Sequence, residues 1–109
     1  MPNLLLRCLP GLVAAACALA TPGAHAAETK ALLEQYRCTI CHADRETLAG
    51  PSWLDIAGRY QGKKQADVIL SAKIRAGARG GGMWHMPPHP EVSKVDAEAM
   101  STYILALKK

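Results

Sequence analysis

Cys38-Thr39-Ile40-Cys41-His42 places two thiols three positions apart with an imidazole directly behind them. No other run in the chain restricts the possible folds so tightly. C-x-x-C-H is the pattern for covalent attachment of a c-type haem. Each sulfur adds to one vinyl group of the porphyrin, and the adjacent His reaches under the ring to the iron. A thiol–disulfide oxidoreductase also uses C-x-x-C, but there the pair normally opens a helix after a strand in an α/β domain. A structural zinc site wants two further ligands at comparable spacing. Haem attachment is the reading that uses all three residues.

The amino-terminal stretch reads as a leader rather than as structure. Arg7 supplies a positive head, Leu12 to Ala20 an apolar run too short to span a membrane, and Ala24-His25-Ala26 a small-x-small cleavage pattern. Cleavage after Ala26 is expected, with residues 1–26 removed by export to the periplasm and residues 27–109 forming a single domain. An uncleaved amphipathic anchor is the alternative. Lipidation at Cys17 lacks the large aliphatic residue expected three positions earlier. Cys8 and Cys17 leave with the leader, so Cys38 and Cys41 are the only thiols of the mature chain. A disulfide between them would close a tiny loop and contribute little to stability.

Of thirteen Lys and Arg only Arg7 lies in the leader, so twelve stand against nine Asp and Glu in the mature chain. The surplus includes Lys63, Lys64, Lys73, Arg75 and Arg79. It reads as a solvated face or as a docking patch for an acidic redox partner, where charge steers encounter. No long basic run with interleaved aromatics supports nucleic-acid binding.

Apolar spacing predicts four short helices and no strands. The first runs from about Thr29, as N-cap, towards Cys38, with Leu32, Leu33 and Tyr36 for packing. Ser52 opens the second, whose Trp53, Ile56, Ala57 and Tyr60 share one face, and Asp55 makes a variant capping box. The third covers Gln65 to Ala76, with Ala66, Ile69, Leu70, Lys73 and Ile74 on one stripe and Gly77 as its stop. The fourth begins at Ser93 and buries Met100, Tyr103, Ile104 and Leu107, with Lys108 and Lys109 at the negative end of its dipole. Residues 78–92 form a long irregular segment, and such segments are usually functional. About 83 residues with no Phe make a thin core, so a haem packed between the helices would be part of the fold.

The iron needs a sixth ligand or keeps an open position. Met83, His85, Met86, His89 and Met100 are the candidates. Met100 lies on the apolar stripe of the last helix and reads as core. Met86 stands before Pro87 and Pro88, which fix the backbone beside it. It is the preferred ligand, with His85 or His89 as alternatives. Met with His raises the iron potential and fills both axial positions, which favours electron transfer over oxygen or peroxide chemistry.

With Gly50-Pro51-Ser52-Trp53-Leu54-Asp55-Ile56-Ala57, Lys73-Ile74-Arg75-Ala76-Gly77 and Met86-Pro87-Pro88 added to C-x-x-C-H, the chain resembles small bacterial class I cytochromes c of the c551/c552 type. The likeness covers nearly the whole mature chain. It implies a small all-α cytochrome c fold, four short helices wrapped around one covalently attached haem c. It implies His42 as proximal and Met86 as distal ligand, with the Pro51 carbonyl accepting from His42. It also implies Lys73 and Trp84 at the haem propionates. Two departures stand out: only His85 separates Trp84 from Met86, and His89 follows the prolines where relatives commonly carry Asn.

The expected function is a periplasmic monohaem carrier of single electrons between redox proteins, not an enzyme, with no stable membrane span after cleavage. A second class is a dedicated haem c subunit of a periplasmic oxidoreductase complex, such as a sulfite dehydrogenase-like enzyme. That role would need a large apolar patch outside the haem crevice. A third is a five-coordinate haem enzyme or gas sensor.

Overall fold

Ser52 and Ser93 start helices by the same chemistry. Each sits in extended backbone, and its hydroxyl accepts a hydrogen bond at 3.1 Å from the N–H three residues on, that of Asp55 or Asp96. One donor that a helix start leaves without a partner is thereby satisfied, and the Asp adds negative charge at the positive end of the dipole. The computed structural model describes residues 22–79 and 85–109, with Gly11, Ala16 and Ala18 in addition. Its helices are α1 Pro22–Gln35, α2 Trp53–Tyr60, α3 Ala66–Ala76 and α4 Lys94–Leu105, and a 3₁₀ turn at Cys38–Ile40 follows α1. The expected all-α architecture is observed.

The first helix differs from expectation at both ends. Thr29 is not its cap: the helix continues upstream to Pro22, and Thr29 Oγ1 donates to the His25 carbonyl one turn back at 2.9 Å. At the other end Arg37 turns into the left-handed region, φ 61°. That stops the helix at Gln35 and gives the two thiols a separate turn. Left-handed backbone costs a side-chain-bearing residue roughly 1–2 kcal/mol, so neighbouring contacts must hold it.

Helix α4 packs against α1, α2 and α3. Ala97, Met100, Ser101 and Ile104 form its dry stripe, none more than 2% exposed. Ser101 Oγ donates to the Ala97 carbonyl at 2.7 Å, which meets the polar demand of a buried hydroxyl. Against this stripe lie Leu33 of α1, Trp53 and Ile56 of α2, Leu70 and Ile74 of α3, and Val92. Met100 is core. Tyr36 Oη donates to Asp96 Oδ2 at 2.6 Å, tying the end of α1 to the start of α4.

On α3 the inward face is Leu70, Ser71 and Ile74, while Ile69 and Lys73, expected on the packing stripe, are exposed. Successive residues are about 100° apart around a helix, so Ile69 falls outside the arc that α4 covers. Helix α4 ends at Leu105, and Lys108 and Lys109 lie beyond its last turn.

Strands were not expected, yet a short ladder forms. Ala78–Arg79 (β1) pairs antiparallel with His85–Met86 (β2), Ala78 opposite Met86 and Arg79 opposite His85. It brings residues 78–79 and 85–86 of the expected irregular segment side by side. Gly77 makes the closure possible. With φ 83° it ends α3, and a Cβ there would lie 2.7 Å from the Met86 carbonyl oxygen and 3.0 Å from Pro88 N. Farther along, the His89 N–H donates to the Arg75 carbonyl at 3.1 Å, and Arg75 Nε donates to the Val92 carbonyl at 3.0 Å.

Gly77→Ala is expected to lower the unfolding free energy by about 1–3 kcal/mol, read as a lower urea midpoint. Gly58→Ala is the control. It lies inside α2 with open space where a Cβ would go, and it should gain about 0.5–1 kcal/mol. A wild-type midpoint for Gly77→Ala would show that the close approach imposes no constraint.

The hydrogen bond to Asp96 holds the Tyr36 phenol above its ordinary value of 10.0, with burial acting in the same direction. The folded chain therefore keeps this proton longer than the unfolded one. The stability this contributes is complete below the ordinary value and is lost as pH rises through the raised one. Tyr36→Phe should flatten that alkaline decline. The check is the thermal midpoint of both proteins scanned upward from about pH 9.

Candidate functional site

The 3₁₀ turn holds Cys38 half-buried, and Cys41 follows it in the same state, with His42 buried behind them. The amides of Cys41 and His42 both donate to the Cys38 carbonyl, at 3.2 and 3.0 Å. No disulfide joins the two thiols. Burial pushes the Cys38 thiol above the usual thiol range.

Residues 43–50 form a loop that folds back onto the motif. Gly50 N–H donates to the Cys41 carbonyl at 2.8 Å, and Trp53 N–H to the Ala43 carbonyl at 2.9 Å. This return places Pro51 under the imidazole, with His42 Nδ1 2.7 Å from the Pro51 carbonyl oxygen. A carbonyl only accepts, so Nδ1 carries the proton and Nε2 keeps its lone pair. Two walls fix the ring. Trp53 stacks on it with centroids 4.6 Å apart and planes inclined by 23°. On the Gly50 side a Cβ would meet the ring at 2.5 Å.

Met86 is half-buried and packs against the core at the α3 end of the β1–β2 ladder, opposite Ala78. His85 beside it is exposed. His89 is partly buried, and its Nδ1 is buried with no hydrogen-bond partner among the described residues. Lys73 Nζ lies 5.4 Å from the Tyr60 ring centroid, and Lys63 Nζ lies 5.2 Å from the same ring. Lys64, Arg75 and Arg79 are exposed. Trp84 and Met83 lie outside the described residues.

The donor set fits a covalently held haem. Two thiols stand at one turn with no disulfide between them, an imidazole offers Nε2 while its other nitrogen is anchored, and a thioether sits on a separate arm. The sequence showed Gly77 only as a helix stop, not as the point where the Met86 arm closes in, and did not show Gly50 or Arg37 as constraints. Their signals were weak: a Gly before a Pro, a Gly after a helix, and no signal at all for Arg37.

Such a site on four short helices around a thin core defines a small all-α c-type cytochrome. The chain belongs to the cytochrome c family, which it matches over residues 26–108. Cytochrome c-551 of Allochromatium vinosum is 38% identical over 77 residues, covering 70% of this chain and 82% of the relative. Cytochrome c-552 of Nitrosomonas europaea is 38% identical over 78 residues, 71% of this chain and 76% of the relative. The crystal structure of wild-type Nitrosomonas europaea cytochrome c552 superimposes with a TM-score of 0.70 at 38% identity, over 72% of this chain and 99% of that one. The protein is thus a small class I c-type cytochrome, an electron carrier rather than an enzyme. It carries one haem c attached covalently through cysteines, and Cys38 and Cys41 have the required spacing.

Gly50→Ala is expected to push the imidazole off the Pro51 carbonyl, because the new methyl would occupy ring volume. Absorption spectra of the purified holoprotein should show a weakened or heterogeneous haem environment. An unaltered spectrum and an unaltered thermal midpoint would show that the ring has room to move.

Proposed function

We propose that this chain is a periplasmic monohaem carrier whose iron is ligated by His42 Nε2 and Met86 Sδ. When bound, the haem supplies a one-electron couple. Cys38 and Cys41 would hold the porphyrin by two thioether bonds, and Pro51 holds the His42 ring in one tautomer. Met86 is delivered by an arm fastened to the end of α3. Lys73 and Trp84 would serve the propionate edge. With His42 and Met86 both committed to the iron, the site would serve electron transfer rather than binding of a reacting small molecule.

The observation that carries this reading is the buried His42 ring, donating at 2.7 Å to Pro51 directly behind the Cys38 and Cys41 thiols. Among the described residues, no helix is long and apolar enough to cross a membrane. The leader-like residues 1–26 support export to the periplasm. The exposed large apolar side chains Ile40, Leu48, Val68, Ile69 and Val95 are spread over the 3₁₀ turn, a loop, α3 and α4. That distribution favours a freely diffusing carrier over a dedicated subunit with one broad apolar interface.

Met86→Ala should abolish the weak long-wavelength ferric band of a sulfur ligand and let the reduced protein bind carbon monoxide. Met86→His should lower the reduction potential, because a thioether raises it relative to a second nitrogen. Rapid, complete carbon monoxide binding by the wild-type reduced protein would instead show an open position. Fractionation of expressing cells tests the compartment.

A further inference from the structure

The chain has three tyrosines, Tyr36, Tyr60 and Tyr103, and the fold gives them different neighbours. Tyr36 Oη donates to Asp96 Oδ2 at 2.6 Å, the length of a hydroxyl donating to an ionised oxygen. Tyr60 instead has the ammonium groups of Lys63 and Lys73 at 5.2 and 5.4 Å from its ring centroid, and an ammonium only donates. Among the described residues, Tyr36 is the one phenol hydrogen-bonded to a carboxylate.

The fold holds this pair from both sides. Tyr36 packs against the core, and Asp96 is partly buried in the first turn of α4 with its N–H held by Ser93 Oγ. Tyr36 also adjoins the attachment turn. It stands two residues before Cys38, whose Sγ lies 4.0 Å from the Tyr36 carbonyl oxygen. One short chain segment therefore separates the phenol from a sulfur that would carry the porphyrin.

A phenol that loses an electron becomes a strong acid. Its oxidation is favoured where a base already holds the proton, because nothing then has to rearrange as the electron leaves. A carboxylate is an acceptor only, and Asp96 is in place for that transfer.

We infer that Tyr36 and Asp96 form a proton-coupled redox site that quenches strong one-electron oxidants arriving on the Cys38 side of the molecule. The oxidant, a radical or a high-potential metal complex, takes one electron from the Tyr36 ring. The Oη–H bond breaks, the proton passes to Asp96 Oδ2, and a neutral phenoxyl remains beside a protonated carboxyl. One electron from ferrous iron and the proton returned by Asp96 restore Tyr36. The net change is one oxidant reduced and one iron oxidised, with no proton lost to solvent. Radical scavenging is thereby added to electron carriage, whichever side chain fills the distal position.

The test uses the ferric holoprotein, whose iron has no electron to give to the phenoxyl. A flash generates a ruthenium(III) polypyridyl as oxidant, and samples frozen at fixed delays are read by electron paramagnetic resonance. The wild type should show a phenoxyl signal. Tyr36→Phe should lose about tenfold of it, while Tyr60→Phe and Tyr103→Phe change it less than about twofold. Asp96→Asn keeps the shape and still accepts through its amide oxygen, but it is no base. It should give about fivefold less radical than the wild type. Deuterium oxide should slow radical formation in the wild type but not in Asp96→Asn, which a merely structural tie would not produce. A signal that survives Tyr36→Phe, a wild type yielding only an indole radical, or an Asp96→Asn protein that matches the wild type would overturn the assignment. In the ferrous wild type the radical should not accumulate, and a signal as large as in the ferric protein would overturn the refilling step and the scavenging role with it. Haem spectra matching the wild type show that the variants are folded.

Discussion

The hydrogen bond between His42 Nδ1 and the Pro51 carbonyl holds the rest of the site in place. It joins the haem-attachment turn to the start of α2, and the loop between them is stitched at Cys41–Gly50 and Ala43–Trp53. Trp53 works on two sides: it stacks on the imidazole and belongs to the core. An imidazole fixed by a carbonyl, an indole and a neighbouring glycine has one orientation available. Tautomer and direction are then set by backbone geometry, before any metal is considered.

The second arm is fastened by different means. Met86 comes from a segment with prolines behind it and a two-residue ladder beside it. Gly77 lets that segment touch the end of α3 because hydrogen takes the place of a methyl group. Arg75 and His89 then bind the returning chain to α3. Under the proposed ligation, both donors would belong to frameworks that resist displacement. A carrier benefits from this, since ligands that stay in position keep the oxidised and reduced forms alike.

Both frameworks lean on α4. Its narrow stripe of Ala97, Met100, Ser101 and Ile104 lets α1, α2 and α3 approach one helix, and Tyr36 adds a polar tie at its first turn. So small a core covers only part of each helix. The outer face of α3 therefore keeps Val68, Ile69 and Ala72 exposed.

The C-x-x-C-H run, the Ser caps of α2 and α4, and the burial of Met100 were legible in the chain because each depends on residues close in sequence. The same holds for Gly77 as a helix stop. The all-α class followed from spacing alone. Other features required the folded molecule. The start of α1 at Pro22, the left-handed Arg37, the β1–β2 ladder and the exposure of Ile69 are settled by which neighbour each segment meets. Spacing within a segment does not report this. Sequence by itself determined the chemistry of attachment and the number of helices, since both are local. Tertiary structure alone decided the tight fits of Gly50 against the His42 ring and Gly77 against the Met86 arm, because steric exclusion acts between atoms that the chain brings together only on folding.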